Sequence, residues 1–434
     1  MERDGNRARM DIFIDLERRQ RAAQSIRVAV VGTGFFGAGL VRRLAAMPGL
    51  TPAVAANRTP ARAEAALLDA GIAPAAICRT DDLATAQVAL DRGQHVATAD
   101  LALAAGLDGI EVVMEATGDV LVGATLALAT IRGRKHFVAA NVETQATVGP
   151  ILKTLADEAG VVYSDVAGDE PGMLKALHTR CIGLGFTPIV AGNGKGVLKR
   201  YATPTTQAEF ARANNLQPWI AAAAADGTKL AFEMATAANA TGMPPSTRGM
   251  VGPATTLQNL IADFARHGLL AHGPIVDYAL GDLRGVFVIV HSDEPQFRQE
   301  FRYLKMGAGP YYLFHDPYVL VHYEAPLSAA RAALYGTATV APSGAPVAEV
   351  ATFAKRALRA GERLDGIGGE HAYGLIVRAD ETRAEGLLPI GLASYARLTR
   401  DIAPDQPVPR DAVAFEEDNL VLALRRQQEA RFQG

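Results

Sequence analysis

Along the first third of the chain, short β-branched apolar runs alternate with longer stretches of helical spacing. The first run is I-R-V-A-V-V at Ile26–Val31, which stops at Gly32; such a run forms a buried parallel strand. Residues 35–46 carry helical spacing, and a second apolar strand ends at Ala56. Thr59-Pro60 reads as N-cap and first-turn proline of a helix to Ala70, and Asp81 or Asp82 caps another toward Gly93. Further strands are expected at 111–116, 136–140 and 161–164, with an alanine-rich helix to Arg132 after the first of them and a further helix starting near 148–150. Ahead of all this, residues 10–21 form an amphipathic helix through Ile12 and Leu16, lying on this region as a dimer arm or a lid on a sheet edge. Alternation of this kind predicts a parallel sheet covered on both faces.

The turn after the first strand, G-T-G-F-F-G, changes that picture from architecture to chemistry. Gly32, Gly34 and Gly37 fall at the three positions of a dinucleotide fingerprint: a tight turn, a close approach to pyrophosphate, and helix packing on strand. The helix that follows would aim free N–H groups at the phosphate, so Thr33, Phe35 and Phe36 join the glycines as cofactor contacts. Residues 1–165 are therefore expected to form a Rossmann-type doubly wound domain. At the tip of the second strand stands Asn57-Arg58, where a carboxylate would favour NAD. Nothing there repels a 2′-phosphate and Arg58 can pair with one, which favours NADP. Thr117 and Gly118, after the 111–116 strand, and Asn141, after the 136–140 strand, belong to the same crevice.

From about Asp165 the alternation gives way to glycine- and proline-punctuated helices, with strands expected at 285–291 and 311–323. This reads as an α+β substrate and dimerisation domain over 166–336. A valine-, glycine- and proline-rich region with little helical periodicity between Leu358 and Asp411 suggests a separate, mostly β module over 337–434, away from the hydride-transfer site. The chain has 434 residues, a net charge of -3 with interspersed charges, and no run long enough to span a bilayer. A nucleic acid or membrane partner is not expected. The amino terminus mixes both signs of charge without an apolar centre, so it is not read as a secretory signal. Two cysteines, Cys78 and Cys181, supply neither a disulfide framework nor a zinc site, which suits a reduced cytoplasmic compartment.

Three clusters set ionisable groups beside glycines. In D-V-A-G-D-E-P-G, Asp169 and Glu170 could orient a hydroxyl, act as base or hold a divalent metal; the plain alternative is a capped turn before a helix at 173–179. In G-N-G-K-G, Lys195 is flanked by glycines that let backbone approach a substrate anion; the plain alternative is a flexible surface loop. In D-G-T-K-L-A-F-E-M-A-T-A-A-N, Lys229 and Glu233 share a face of a helix that is otherwise small and apolar. A lysine so placed can donate to a carbonyl oxygen as hydride arrives, with Asp226 one turn earlier holding its rotamer.

K-H-F-V-A-A-N followed by V-G-P-I-L-K-T-L-A-D-E-A-G-V resembles the homoserine dehydrogenase superfamily; where that family places a lysine after the asparagine, this chain has Val142 and then Glu143. G-D-E-P-G, A-G-N-G-K-G, the Lys229 helix, Y-L-K-M-G-A-G-P-Y-Y-L-F and L-L-P-I-G-L-A-S resemble the deoxyxylulose-phosphate reductoisomerase-like oxidoreductases. The last region is similar to the small β-clip module called SAF. These resemblances imply NADPH-dependent reduction of 1-deoxy-D-xylulose 5-phosphate to 2-C-methyl-D-erythritol 4-phosphate by a homodimer, with a small, anionic substrate. A homoserine or sugar-acid dehydrogenase, and a non-catalytic sensor of NADP redox state, are the alternatives.

Overall fold

The computed structural model describes residues 11–432, and they pack as two units. Unit 1 comprises residues up to Asn141, Leu152–Gly168 and Leu320–Thr339; unit 2 comprises Val142–Ile151, Asp169–Val319 and residues from Val340 onward.

Unit 1 is built on seven strands: β1 (Ile26–Val31), β2 (Leu50–Ala56), β3 (Ile77–Arg79), β4 (His95–Thr98), β5 (Val112–Glu115), β6 (His136–Ala139) and β7 (Tyr163–Asp165). All pair in parallel, in the order β3-β4-β2-β1-β5-β6-β7. The fold class is thus α/β with a Rossmann-type sheet. Strand order reverses at β1, whose neighbours are β2 on one side and β5 on the other, so the crevice for a ligand opens at the carboxyl ends of β1 and β5. Val28, Ala29, Val30 and Val31 are fully buried there, and burying each valine contributes about 1.5–3 kcal/mol. The Ile12–Arg21 helix is capped by Asp11, which accepts from Phe13 N at 3.0 Å, and it buries Leu16; Met10, expected as its first residue, lies outside the described residues.

Sequence periodicity misses two strands here, β3 and β4. They are only three and four residues long and read I-C-R and H-V-A-T, too short and mixed to show a period. The helix expected near 148–150 instead runs Val142–Ala159 with Pro150 inside it. The strand expected over 311–323 ends at Asp316, and Val321–Tyr335 is a helix whose Ala325, Ala329, Ala330 and Ala332 pack into the unit 1 core.

Unit 2 carries β8 (Thr187–Lys195), β9 (Ile275–Leu280), β10 (Val286–His291) and β11 (Tyr311–Asp316) in a mixed sheet ordered β11-β10-β8-β9. One face packs on Leu260, Phe264, Leu269 and Leu270. Two antiparallel pairs follow, β12 (Ala348–Ala354) with β13 (Ala372–Arg378) and β14 (Ala396–Leu398) with β15 (Val413–Phe415). A short helix, Ala379–Ala384, interrupts the stretch expected to lack helix.

The boundary expected at 336/337 is crossed by buried polar staples. Asn239 accepts from Val347 N at 2.8 Å and Ala348 N at 3.1 Å while donating to Ala348 O at 3.1 Å, and Thr228 Oγ1 accepts from Gly374 N at 2.8 Å. Such bonds are costly to break because each would leave a buried polar group unmet.

Candidate active site

In unit 1 the glycine loop can be read atom by atom. Gly32 has φ +95°, and a Cβ there would lie 2.8 Å from the Ala116 backbone; a Cβ on Gly37 would fall 1.9 Å from Gly32 O. These two glycines are required by packing. Gly34 has nothing within 4 Å of where its Cβ would be, so the middle glycine alone faces open space. The Phe35–Ala46 helix begins at Gly34 without a side-chain cap, leaving its first N–H groups available. Thr33 is buried with Oγ1 unpartnered among the described residues. A cradle, uncapped donors and an orphaned hydroxyl fit a dinucleotide pyrophosphate.

Around that loop stand the other expected cofactor contacts. Thr117 gives N and Oγ1 to Glu115 Oε1, both at 2.5 Å, and its methyl group abuts Gly32. Gly118 has φ +70°, and Asp119 then caps the Val120–Arg132 helix at Val122 N, 2.9 Å. Asn141 is buried and donates to Asp119 O at 3.1 Å. Asn57 folds onto Thr59 N at 2.9 Å, and Arg58 is exposed beside it. The missed strand β4 brings an acid near this tip: Ala56 pairs with Thr98, whose hydroxyl donates to Asp81 at 2.8 Å. That carboxylate is occupied, since Ala99 N also donates to it at 2.6 Å, and these bonds hold Asp81 below the usual range.

In unit 2 the chemistry gathers on the Thr228–Thr241 helix. Its residues from Leu230 to Ala240 are all buried, yet Lys229 and Glu233 project from it, paired at 3.0 Å. Glu233 is 6% exposed at its side chain and Lys229 is 35% exposed, so the lysine side chain is partly open while the glutamate is not. Asn193, near the end of β8, donates to the other Glu233 oxygen at 3.2 Å.

Three further carboxyl groups act on this lysine, Asp169 and Glu170 from the start of the Glu170–Gly183 helix and Glu143 from the start of the Val142–Ala159 helix. Burial pulls the Lys229 pKa down, but Glu233, Asp169, Glu143 and Glu170 outweigh it and hold the ammonium well above the usual lysine range. Glu170 is pushed well up by burial, then by the negative charges of Glu233 and Asp169. Glu143 is raised chiefly by burial, against the pull of Lys229.

Lys195 ends β8 two residues beyond Asn193 and so points to the same face of the sheet. Among the described residues no carboxylate lies within ion-pair distance of it. Its setting corrects the expected glycine loop. Gly192 and Gly194 lie within β8, where a Cβ would meet the Phe287 ring at 2.3 Å and Leu283 O at 2.3 Å. They are packing glycines, and only from Gly196 does the chain leave the sheet.

Asp226 departs from its expected role. It does not hold Lys229 but pairs with Lys355 at 2.8 Å, both side chains fully or almost fully buried, and it accepts from Thr228 N at 2.8 Å. Lys355 completes its shell with Ala202 O and Gly369 O, both at 2.6 Å. Glu143 and Asn193 are the site residues that sequence reasoning missed. Glu143 showed itself in the sequence only as a departure from a familiar pattern, and Asn193 was hidden inside an apparent loop. Among the described residues, no three of His, Cys, Asp and Glu are disposed to hold a metal ion, and no helix is long and apolar enough to cross a membrane.

Residues 168–325 match the family described as oxidoreductase DRL, catalytic domain, a stretch that contains Lys195, Lys229 and Glu233. The class this supports is that of an oxidoreductase. No curated protein matches the chain. Similar solved structures include an NAD binding oxidoreductase from Klebsiella pneumoniae, 18% identical over 42% of this chain and 48% of that one, with a TM-score of 0.29. A levoglucosan dehydrogenase in complex with NADH is 18% identical over 40% of this chain and 44% of its own, with a TM-score of 0.29. Biliverdin reductase from Synechocystis, in complex with biliverdin and NADP+, is 15% identical over 41% and 49%, with a TM-score of 0.25. The chain spans about half the length of each, and none is similar enough to carry an activity over.

Proposed function

We propose that the protein is an NADP-dependent oxidoreductase that reduces the carbonyl of a small, hydroxyl-bearing substrate. The observation that carries this reading is Lys229, a partly exposed lysine on an apolar helix, held by a buried glutamate that Asn193 also grips. Hydride delivered to a carbonyl carbon leaves negative charge on oxygen, and a positioned ammonium stabilises that charge more in the transition state than before it. The carboxyl groups around Lys229 accept hydrogen bonds from substrate hydroxyls. Lys195, unpaired on the same sheet face as Asn193, receives an anionic group of the substrate.

Unit 1 supplies the dinucleotide site, with Thr33, the first-turn N–H groups and Gly34 at the pyrophosphate. The bound nicotinamide supplies the hydride. Arg58 and the absence of a carboxylate at Asn57 favour a 2′-phosphate. The reductoisomerase-like reaction on 1-deoxy-D-xylulose 5-phosphate fits these demands, with the phosphate at Lys195 and the vicinal hydroxyls at the carboxyl groups. A sugar-acid dehydrogenase is the second reading, with the substrate carboxylate at Lys195 and its hydroxyls at the carboxyl groups beside Lys229.

NADPH oxidation is to be followed against deoxyxylulose phosphate, aspartate semialdehyde, ketoses and oxidised sugar acids, with and without magnesium. Turnover of a hydroxy-carbonyl compound that Lys229→Met lowers by about a hundredfold or more supports the proposal; turnover indifferent to that change removes it. Titration calorimetry should find NADPH bound more tightly than NADH, and Asn57→Asp should shift the preference toward NADH by about 1 kcal/mol through repulsion of the 2′-phosphate.

A further inference from the structure

The fingerprint carries one glycine more than a dinucleotide needs. Gly39 lies in the first turns of the Phe35–Ala46 helix, and a Cβ there would fall 2.7 Å from Cδ2 of His322. The glycine makes room for an imidazole that arrives from almost three hundred residues downstream, on the Val321–Tyr335 helix. The ring sits against both fingerprint phenylalanines, 5.5 Å from the Phe35 centroid at 79° and 4.7 Å from that of Phe36 at 60°. The approach is fixed from behind, because Gly168, at φ +77°, lets Leu320 and Glu324 come so close that a Cβ would lie 2.9 Å from the Leu320 backbone. Phe35 is nonetheless 65% exposed. A large apolar ring held open to solvent beside uncapped helical N–H groups is braced by a titratable group that the hydride chemistry does not use.

We propose that His322 is a cofactor-positioning residue, acting through Phe35 and Phe36, and that it takes up a proton from solvent when the dinucleotide binds. The inference rests on the dinucleotide reading of unit 1. The groups bearing on the imidazole favour its neutral form in the free protein. Burial lowers its pKa, and Arg42 from the packed helix lowers it further. Arg43, next along that helix, is engaged over the Tyr323 ring at 5.2 Å. On its own helix Glu324 is the closest carboxylate in sequence, and its Cβ packs toward Gly168. Pyrophosphate seated on the N–H groups of this same turn brings negative charge to the ring's neighbourhood and reverses the balance, favouring imidazolium. Proton uptake and binding are then linked, each pKa unit of upward shift being worth about tenfold in affinity.

The test is titration calorimetry of the full chain with NADPH and with NADH between pH 5.5 and 8, in pairs of buffers of different ionisation enthalpy. NADH controls for the 2′-phosphate, which titrates near pH 6 itself. Expected for the wild type is uptake of a fraction of a proton near pH 6 and an affinity that falls about threefold to tenfold toward pH 8. His322→Gln should abolish the uptake and flatten the pH profile. Gly39→Ala, which evicts the imidazole while leaving it in the chain, should do the same. A wild type that binds without proton uptake, or uptake that persists in His322→Gln, overturns this inference alone. A wild type that binds neither nucleotide overturns the dinucleotide reading and this inference with it.

Discussion

Two lysine–carboxylate pairs flank the same helix junction in unit 2, and they are built to opposite specifications. Asp226 and Lys355 are sealed: both side chains are at most 2% exposed, and the ammonium meets one carboxylate and two carbonyl groups. Lys229 and Glu233 are open. There the lysine side chain is one-third exposed and its ammonium is pulled on by four carboxyl groups. A pair sealed from solvent on both sides has nothing to offer a ligand. An open pair with surplus charge does, which makes exposure and imbalance, and not the presence of a buried charge, the mark of a site.

The largest effect should come from unbalancing the sealed pair. Burial raises the Asp226 pKa even though Lys355 opposes it, so pairing does not fully offset desolvation. Lys355→Met then leaves a carboxylate buried alone and should cost about 3–5 kcal/mol of stability, whereas Asp226→Leu with Lys355→Met should recover most of that loss. Denaturant unfolding checks both. A single variant as stable as the wild type would erase the distinction drawn between the pairs.

Why that distinction was hidden in the sequence is physical. Asp226 and Lys229 are three residues apart and invite pairing, but Gly227, at φ +93°, ends one helix and starts the next, turning Asp226 away from the axis that carries Lys229. Its true partner lies 129 positions on, in a stretch read as a separate module. The dinucleotide corner was legible because one contiguous stretch encodes strand, turn and helix. The acid cluster was legible only in part, because Glu143, Asp169, Glu170 and Glu233 come from three helices and nothing local ties them together. Asn193 was missed for another reason: Gly192 and Gly194 look like loop residues, and only the Phe287 ring and Leu283 backbone explain them as strand.

Next in size is the open pair. Lys229→Met should lower kcat by about a hundredfold or more on the substrate found by the screen, with dinucleotide affinity little changed, whereas Lys195→Met should chiefly raise KM. Stability should separate this variant from Lys355→Met. Lys229 opposes the burial that raises Glu143 and Glu170, so without the ammonium the loss should be modest at pH 6 and grow as pH rises and those carboxyl groups must ionise. A loss as large at pH 6 as that of Lys355→Met would make Lys229 a second structural lysine.

The smallest effect tests the surplus charge itself. Glu170 is raised well above the usual carboxylate range by burial and by Glu233 and Asp169. A carboxyl whose folded pKa is raised binds its proton more tightly in the fold than in the unfolded chain. Its contribution is full below the unfolded pKa and is lost as pH climbs through the folded one. Glu170→Gln keeps the size and shape of the side chain and never ionises. Its Tm should therefore match or fall below that of the wild type near pH 5 and gain on it steadily toward pH 8.5. A neutral change at an unstrained surface site moves stability within about 0.5 kcal/mol at any pH, so the slope of the difference against pH is what decides. A flat difference would mean that Glu170 ionises freely in the fold and the cluster is solvated like any surface. A difference rising with pH would show that the open pair sits in a field of carboxyl groups kept partly protonated, as the sealed pair does not.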